Sequence, residues 1–205
     1  MTIKPSQTSW RERQRLELRS HIYETALGLF RSRGFTETTV QQITSVAGIG
    51  KGTFFNHFPS KDHVLQAWYR RITRTALKEV SEQDFATGCE AVLALTTSLV
   101  SGVSADPYLW DAKASATSSA LLRQEEDDLD KELVAFCRAA IEKDIVENRL
   151  VPGTSAEFLT DMVLTILTGT AHSWTVSGHR LDLAEAIRQR ISFVLDAASI
   201  DKGSM

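Results

Sequence analysis

Apolar residues along this chain recur at spacings of three and four, the period of an α-helix rather than of a strand. Leu18, Ile22, Ala26, Leu29 and Phe30 mark one face of a first helix expected over residues 9–33. Gly34 follows as a left-handed cap, with apolar Phe35 just beyond it. A short second helix is expected from Thr38 or Thr39, because Thr38-x-x-Gln41 and Thr39-x-x-Gln42 both fit a capping box, and Val40, Ile43 and Ala47 turn inward from it. After Gly48-Ile49-Gly50, residues 51–57 predict a third helix. Phe54 and Phe58 lie four apart on its inner side, while Lys51, Thr53, Asn56 and His57 face outward. Ser60 is the expected N-cap of a long fourth helix running through Trp68 and Ile72.

The remaining periodic stretches predict helices over about 85–103, 108–119, 121–148, 155–176 and 182–199. Pro5, Pro59, Pro107 and Pro152 all fall between periodic segments, and no alternating run with an Asn-Gly turn suggests a hairpin. The expected class is all-α, with about nine helices. A small head over 1–58 precedes a larger helical body over 59–205.

Composition narrows the class of function. At 205 residues, 42% hydrophobic and 24% charged, the chain is too apolar for disorder and long enough for a substantial core. Two cysteines, Cys89 and Cys137, are too few for a stapled secreted fold or a cysteine-rich zinc site; both sit on apolar faces and read as structural. The N-terminus is charged where a signal peptide needs an apolar stretch, so the expected location is cytoplasmic. The longest uncharged stretch, 162–178, is broken by Thr, Ser, Gly and His172, and reads as a buried helix rather than a membrane span.

The overall charge of −3 conceals an asymmetry: residues 1–78 carry a net +8 and residues 79–205 a net −11. A basic head that meets a polyanion, joined to an acidic body with another task, follows from that split. Two short helices joined by a tight glycine-containing turn within the basic stretch describe a helix-turn-helix, whose second helix enters the major groove. Val40, Ile43, Ala47, Ile49, Phe54 and Phe58 supply its packing. Lys51, Thr53, Asn56, His57 and Lys61 supply donors for phosphates and base edges.

The run Gly34-Phe35-x-x-Thr38-Thr39-Val40-x-x-Ile43-x-x-x-Ala47-Gly48-Ile49-x-Lys51-Gly52-Thr53-Phe54-Phe55-x-His57-Phe58-x-Ser60-Lys61-x-x-Val64-Leu65 resembles the N-terminal signature of the TetR family of bacterial transcriptional regulators. That resemblance implies a homodimer with three N-terminal helices for a palindromic DNA operator and a body for dimerisation. A small-molecule effector would release the DNA. On matching positions it implies a phosphate contact from Thr38 or Thr39, groove-facing Lys51, Gly52, Thr53 and Asn56, and phosphate contacts from His57 and Lys61. Gln41 and Gln42 either reach bases or cap. Gly50 stands where Ser or Thr is usual, and Phe55 replaces a common Tyr, so no hydroxyl contact is available there.

In the acidic half, the eighth and ninth helices carry broad apolar faces, and Ile166, Thr170, Ile187, Ile191 and Val194 are the expected dimerisation residues. A pocket for the unidentified effector is expected between body helices, with Trp68, Trp110, Phe136, Phe158, Met162, His172 and Trp174 as candidate walls. No His pair at i, i+4, phosphate-binding glycine loop or nucleophile elbow is present, and neither cofactor, metal nor catalytic residue is expected. The acidic run Glu125, Glu126, Asp127, Asp128 and Asp130 reads as a solvated helix start. Two rival readings are an all-helical enzyme or carrier for a hydrophobic molecule, and an architectural DNA-binding protein without an effector. Turnover of a ligand would favour the first, and a body without a ligand-sized cavity the second.

Overall fold

The computed structural model describes residues 10–115 and 120–200; the side chains of 115 and 120–130, including the acidic run, lie outside the description. Among the described residues the chain forms nine α-helices: α1 Trp10–Arg33, α2 Val40–Ala47, α3 Lys51–His57, α4 Asp62–Ser81, α5 Gly88–Ser104, α6 Pro107–Ser115, α7 Ala120–Val146, α8 Ala156–Val176 and α9 Leu183–Ala198. The only pairing outside helices among these residues is one antiparallel bridge between Leu150 and Ser199. The chain divides into two compact units, Met1–Ala67 and Trp68–Met205, with the division inside α4.

In the first unit, α1 buries Ile22, Tyr23, Ala26, Leu27, Leu29 and Phe30, and α2 packs on it. Val64 and Leu65, from the first turn of α4, are buried in this unit too. Gly34 closes α1 with φ 95°, and its N–H donates to the Phe30 carbonyl at 3.0 Å.

In the second unit, α5 packs against α7 and α9, and α8 against the same pair. Val92, Leu95, Ile141, Val163, Ile187 and Ile191 lie in the shared core. The α5 start shows how local sequence sets this packing. Thr87 and Glu90 form a reciprocal capping box, so the helix begins at Gly88 rather than at residue 85 as periodicity suggests. Buried Asp144 then accepts from the N–H groups of Gly88 and Cys89, each at 2.8 Å, and pairs with Arg149 at 3.2 Å. Gly88 is required by closeness: a Cβ there would lie 1.8 Å from the Ala140 carbonyl oxygen.

Ser155 and Asp182 cap α8 and α9 through their side chains. The end of α8 is tethered by Trp110 Nε1, which donates to Thr175 Oγ1 at 3.0 Å, and by His179, which lies 3.1 Å from Asp111 and against the Trp174 ring. Among the described residues no single helix is long and apolar enough to cross a membrane; α5 and α6 reach that composition only together, bent by 95°.

Candidate nucleic-acid interface

The helix pair α2 and α3 is built by its termini. Thr39 Oγ1 accepts from the Gln42 N–H at 3.2 Å, and Gln42 Oε1 accepts from the Thr39 N–H at 2.8 Å. Of the two overlapping capping boxes in the sequence, this is the one that forms. At the other end Gly48 adopts φ 68°, and the Ile49 N–H reaches back to the Thr44 carbonyl at 3.0 Å. That left-handed closure makes the turn tight enough for α3 to start three residues after Gly48. Gly50 caps α3 without a side-chain bond. Buried Phe54 and Phe58 anchor the inner side, their rings 6.0 Å apart.

The outer side of α3 presents Lys51, Gly52, Phe55 and Asn56 to solvent, with Thr53 and His57 half-buried. Phe55 stays half exposed although its ring edge meets Phe54 at 5.5 Å, leaving an apolar surface beside the two polar groups. His57 Nδ1 is buried without a hydrogen-bond partner, so an anion can meet this imidazole only through Nε2. Burial, then the charges of Arg19 and Arg15, hold the imidazole below its ordinary pKa. The free head therefore keeps it neutral near pH 7.

Three of the candidate DNA-contacting residues are committed elsewhere. Thr38 is fully buried, its hydroxyl donating to the Gly34 carbonyl at 2.7 Å, whereas Thr39 is exposed. Gln42 spends its amide oxygen on the cap, leaving exposed Gln41 as the side chain of that pair able to reach outward. Lys61 points back into its own unit, donating to the carbonyls of Phe35, Thr36 and Thr38 at 2.7, 3.3 and 2.9 Å, over the Phe35 ring at 4.4 Å. An ammonium with three donors on three carbonyls is not presented to a phosphate.

Two basic residues beside α3 were not among the candidates that the sequence suggests. Arg19 of α1 donates through Nη1 to the His57 carbonyl and stacks 4.1 Å from the Phe58 ring centroid. Arg15, one turn earlier, influences the same imidazole. The spacing Arg11-x-x-x-Arg15-x-x-x-Arg19 was the available signal.

The body corrects several expectations. On α8 the buried stripe is Leu159, Val163, Leu167, Thr170, Ala171 and Trp174. Phe158 and His172 are exposed, roughly 100° of helical turn from neighbours on that stripe, and neither faces an interior pocket. Trp68 and Trp174 are buried, and Trp110 and Phe136 pack against the core. On α9 the buried stripe runs Leu183, Ile187, Ile191 and Leu195, so Ile187 and Ile191 serve the protomer's own core and cannot meet a second copy. Thr170 is likewise buried, accepting from Arg190 at 2.8 Å. Ile166, Met162 and Val194 are half-buried, and Phe193 is 77% exposed.

Two open grooves mark this unit. One, of about 560 Å³, is lined by Val151, Pro152, Phe158, Met162, Phe193 and Val194 among others. The other, of about 680 Å³, lies around Cys89, Asp144, Arg149, Asp196 and Ser199. Both cysteines are free thiols pushed up to about 12, first by burial and, for Cys89, by Asp144 as well. Among the described residues no group of three His, Cys, Asp or Glu side chains is arranged to hold a metal.

Comparison with known proteins agrees with this geometry. Residues 22–68 match the family described as bacterial regulatory proteins, tetR family. The chain is similar to the uncharacterized HTH-type transcriptional regulator YerO of Bacillus subtilis (strain 168), 36% identical over 69 residues, which are 32% of this chain and 24% of that protein. It is also similar to the HTH-type transcriptional repressor DhaR of Mycobacterium sp. (strain GP1), 38% identical over 65 residues, 30% of this chain and 33% of that one. The matches thus span about a quarter to a third of these relatives' lengths. In fold, the chain resembles Thermus thermophilus FadR, a TetR family repressor solved with lauroyl-CoA, at TM-score 0.70 and 22% identity over 91% of this chain and 98% of that one.

Proposed function

For a chain that belongs to the TetR family of transcriptional regulators, we propose the role of an effector-released repressor that binds a palindromic operator as a homodimer in the cytoplasm. The observation that carries the reading is the outer side of α3, where Lys51 and Asn56 stand exposed on a helix held by the Gly48 turn, within a stretch of net +8. Lys51 is then the base reader, because its ammonium is exposed at the helix start and can reach the O6 and N7 acceptors of guanine. Thr39 and His57 bracket it as phosphate contacts, which fix the register of the helix without carrying sequence information. Gln41 and Asn56 complete the groove face.

The dimer forms across the outer faces of α8 and α9. Phe158, Met162, Phe193 and Val194 supply the apolar surface there, in place of the buried Ile187 and Ile191. The effector is a small molecule taken by the second unit. A fold shared with a repressor that takes lauroyl-CoA supports that class of ligand. Release requires that the effector bind the DNA-incompatible state better, by about 1–3 kcal/mol in typical cases.

The test is equilibrium binding of the purified chain and of Lys51→Ala to duplexes selected from a random library. Loss concentrated at particular base pairs, about 1–3 kcal/mol each, supports the reading. A wild-type chain that selects no sequence overturns it. Phe193→Asp should leave a folded monomer on size exclusion if α9 carries the dimer contact.

A further inference from the structure

The first two turns of α1 stand clear of their unit's core. From Trp10 to His21 no residue is buried, and Ile22 is the first to be so. Ahead of Leu18 the helix gains little from packing, so its composition points to what it meets instead. Arg11, Arg13, Arg15 and Arg19 against Glu12 and Glu17 leave it net positive, and Arg11, Arg15 and Arg19 share one face.

The inner end of that face is fixed to the recognition helix. Arg19 donates to the carbonyl of His57, the last residue of α3, while its guanidinium covers the Phe58 ring. From that anchor the arginines step outward by about 6 Å for each four residues. Arg15 is held meanwhile by Glu12, in a forked pair of 2.7 and 3.1 Å. The two non-bridging oxygens of a backbone phosphate can accept the same forked pair of N–H groups as the carboxylate.

We infer that Arg11 and Arg15 form a strip that continues the DNA surface past the end of α3, meeting backbone phosphates that flank the base pairs α3 reads, with Glu12 as the resident competitor for Arg15. This rests on the DNA-binding reading above and extends it to a second, sequence-independent contact. DNA is the occupant because the strip is continuous with the end of α3 through Arg19 and because the phosphate ladder is a row of like acceptors that matches a row of guanidiniums. Glu12 gives the strip an adjustable strength: while its carboxylate occupies the Arg15 fork, a phosphate contact at Arg15 must first displace it. The half-exposed state of both partners, 58% for Arg15 and 41% for Glu12, leaves room for that exchange.

The test uses the full chain and a duplex selected from a random library by the wild-type protein. One form is trimmed to the base pairs that selection specifies, and another carries the same core with five further pairs on each side. Arg11→Ala/Arg15→Ala is expected to bind the longer duplex about tenfold more weakly, to lower the salt slope by about 0.9 for each phosphate that the strip no longer neutralises, and to bind the trimmed duplex as the wild type does. Glu12→Gln is expected to bind the longer duplex severalfold more tightly. Both variants should melt with the wild type, since these side chains are outside the core. Binding by the double variant that equals wild type on both duplexes overturns the strip, as does an equal loss on both or a Glu12→Gln variant no tighter than wild type. If Lys51→Ala loses sequence preference while the double variant is unaffected, the parent reading stands and the strip alone falls. A wild-type chain that selects no duplex overturns both.

Discussion

Lys61, immediately before α4, donates its ammonium to the carbonyl oxygen of Thr38 at 2.9 Å, joining the start of that helix to the turn ahead of α2. Two neighbouring carbonyls, of Phe35 and Thr36, take its other hydrogens. Lys61→Ala should therefore lower the melting midpoint of the first unit, at a cost of about 1.5–3 kcal/mol for losing hydrogen bonds from a charged group. The salt dependence of DNA binding by the folded variant should stay as in wild type. An unchanged melt with a shallower salt slope would instead return Lys61 to the phosphate backbone.

Gly52 sits on the exposed side of α3, and a Cβ there would meet nothing within 4 Å. The fold itself thus gives no steric reason for glycine at this position. Gly52→Ala should leave the melting midpoint unchanged or raise it by up to the equivalent of about 1 kcal/mol, the helix propensity difference. Affinity for a selected duplex should fall, because the methyl group would stand between the helix start and the DNA. Binding equal to wild type would mean that α3 does not approach DNA by its first turn.

Asp144 has two opposed influences: burial favours its neutral acid, but the N–H groups of Gly88 and Cys89 and the Arg149 side chain outweigh it and hold the carboxyl below its ordinary pKa. Its contribution to folding is therefore complete above the unfolded carboxyl pKa and is lost as the pH falls through the lower folded one. Asp144→Asn should cost about 3 kcal/mol at pH 7, read by chemical denaturation with Trp110 and Trp174 fluorescence. The gap between variant and wild type should narrow below about pH 4. A variant as stable as wild type at pH 7 would show that the α5 start does not depend on this charge.

Burial, and then the charges of Arg19 and Arg15 from α1, push the His57 pKa below 6.5 in the free head. Folding stability from this group is thus lost as the pH falls below about 6.5. A DNA phosphate acts in the opposite sense and favours the imidazolium. Operator affinity should accordingly rise between pH 7.5 and 6 with uptake of a proton, while His57→Gln shows no such rise. Equal wild-type affinity at both pH values would remove His57 from the phosphate contacts.

Helix existence, the Gly34 closure and the tight glycine turn at 48–50 were legible because each follows from local chemistry: a period of 3.6, a position that needs positive φ, a pair of glycines between two short helices. Start points were less so where a cap lies inside a periodic run, as at Thr87, because hydrophobic spacing alone begins α5 too early. Side-chain direction was least legible. Nothing local separates Thr39, exposed in its cap, from fully buried Thr38, or tells that Lys61 folds back onto carbonyls from residues 23 to 26 positions earlier. On α9, Ile187 and Ile191 fit a partner face and a core face equally by spacing, and tertiary packing alone chose the core.

The shortness of α3 limits how much information one head can extract. Seven residues at about 1.5 Å each cover roughly 10 Å, about three base pairs at 3.4 Å per pair. Three positions with four alternatives separate only about 64 sequences, so a single head would find its match by chance every few dozen base pairs. Addressing one place in a genome then demands a second reading at a set distance, and the operator should carry its sequence information in two short islands with a tolerant spacer between them.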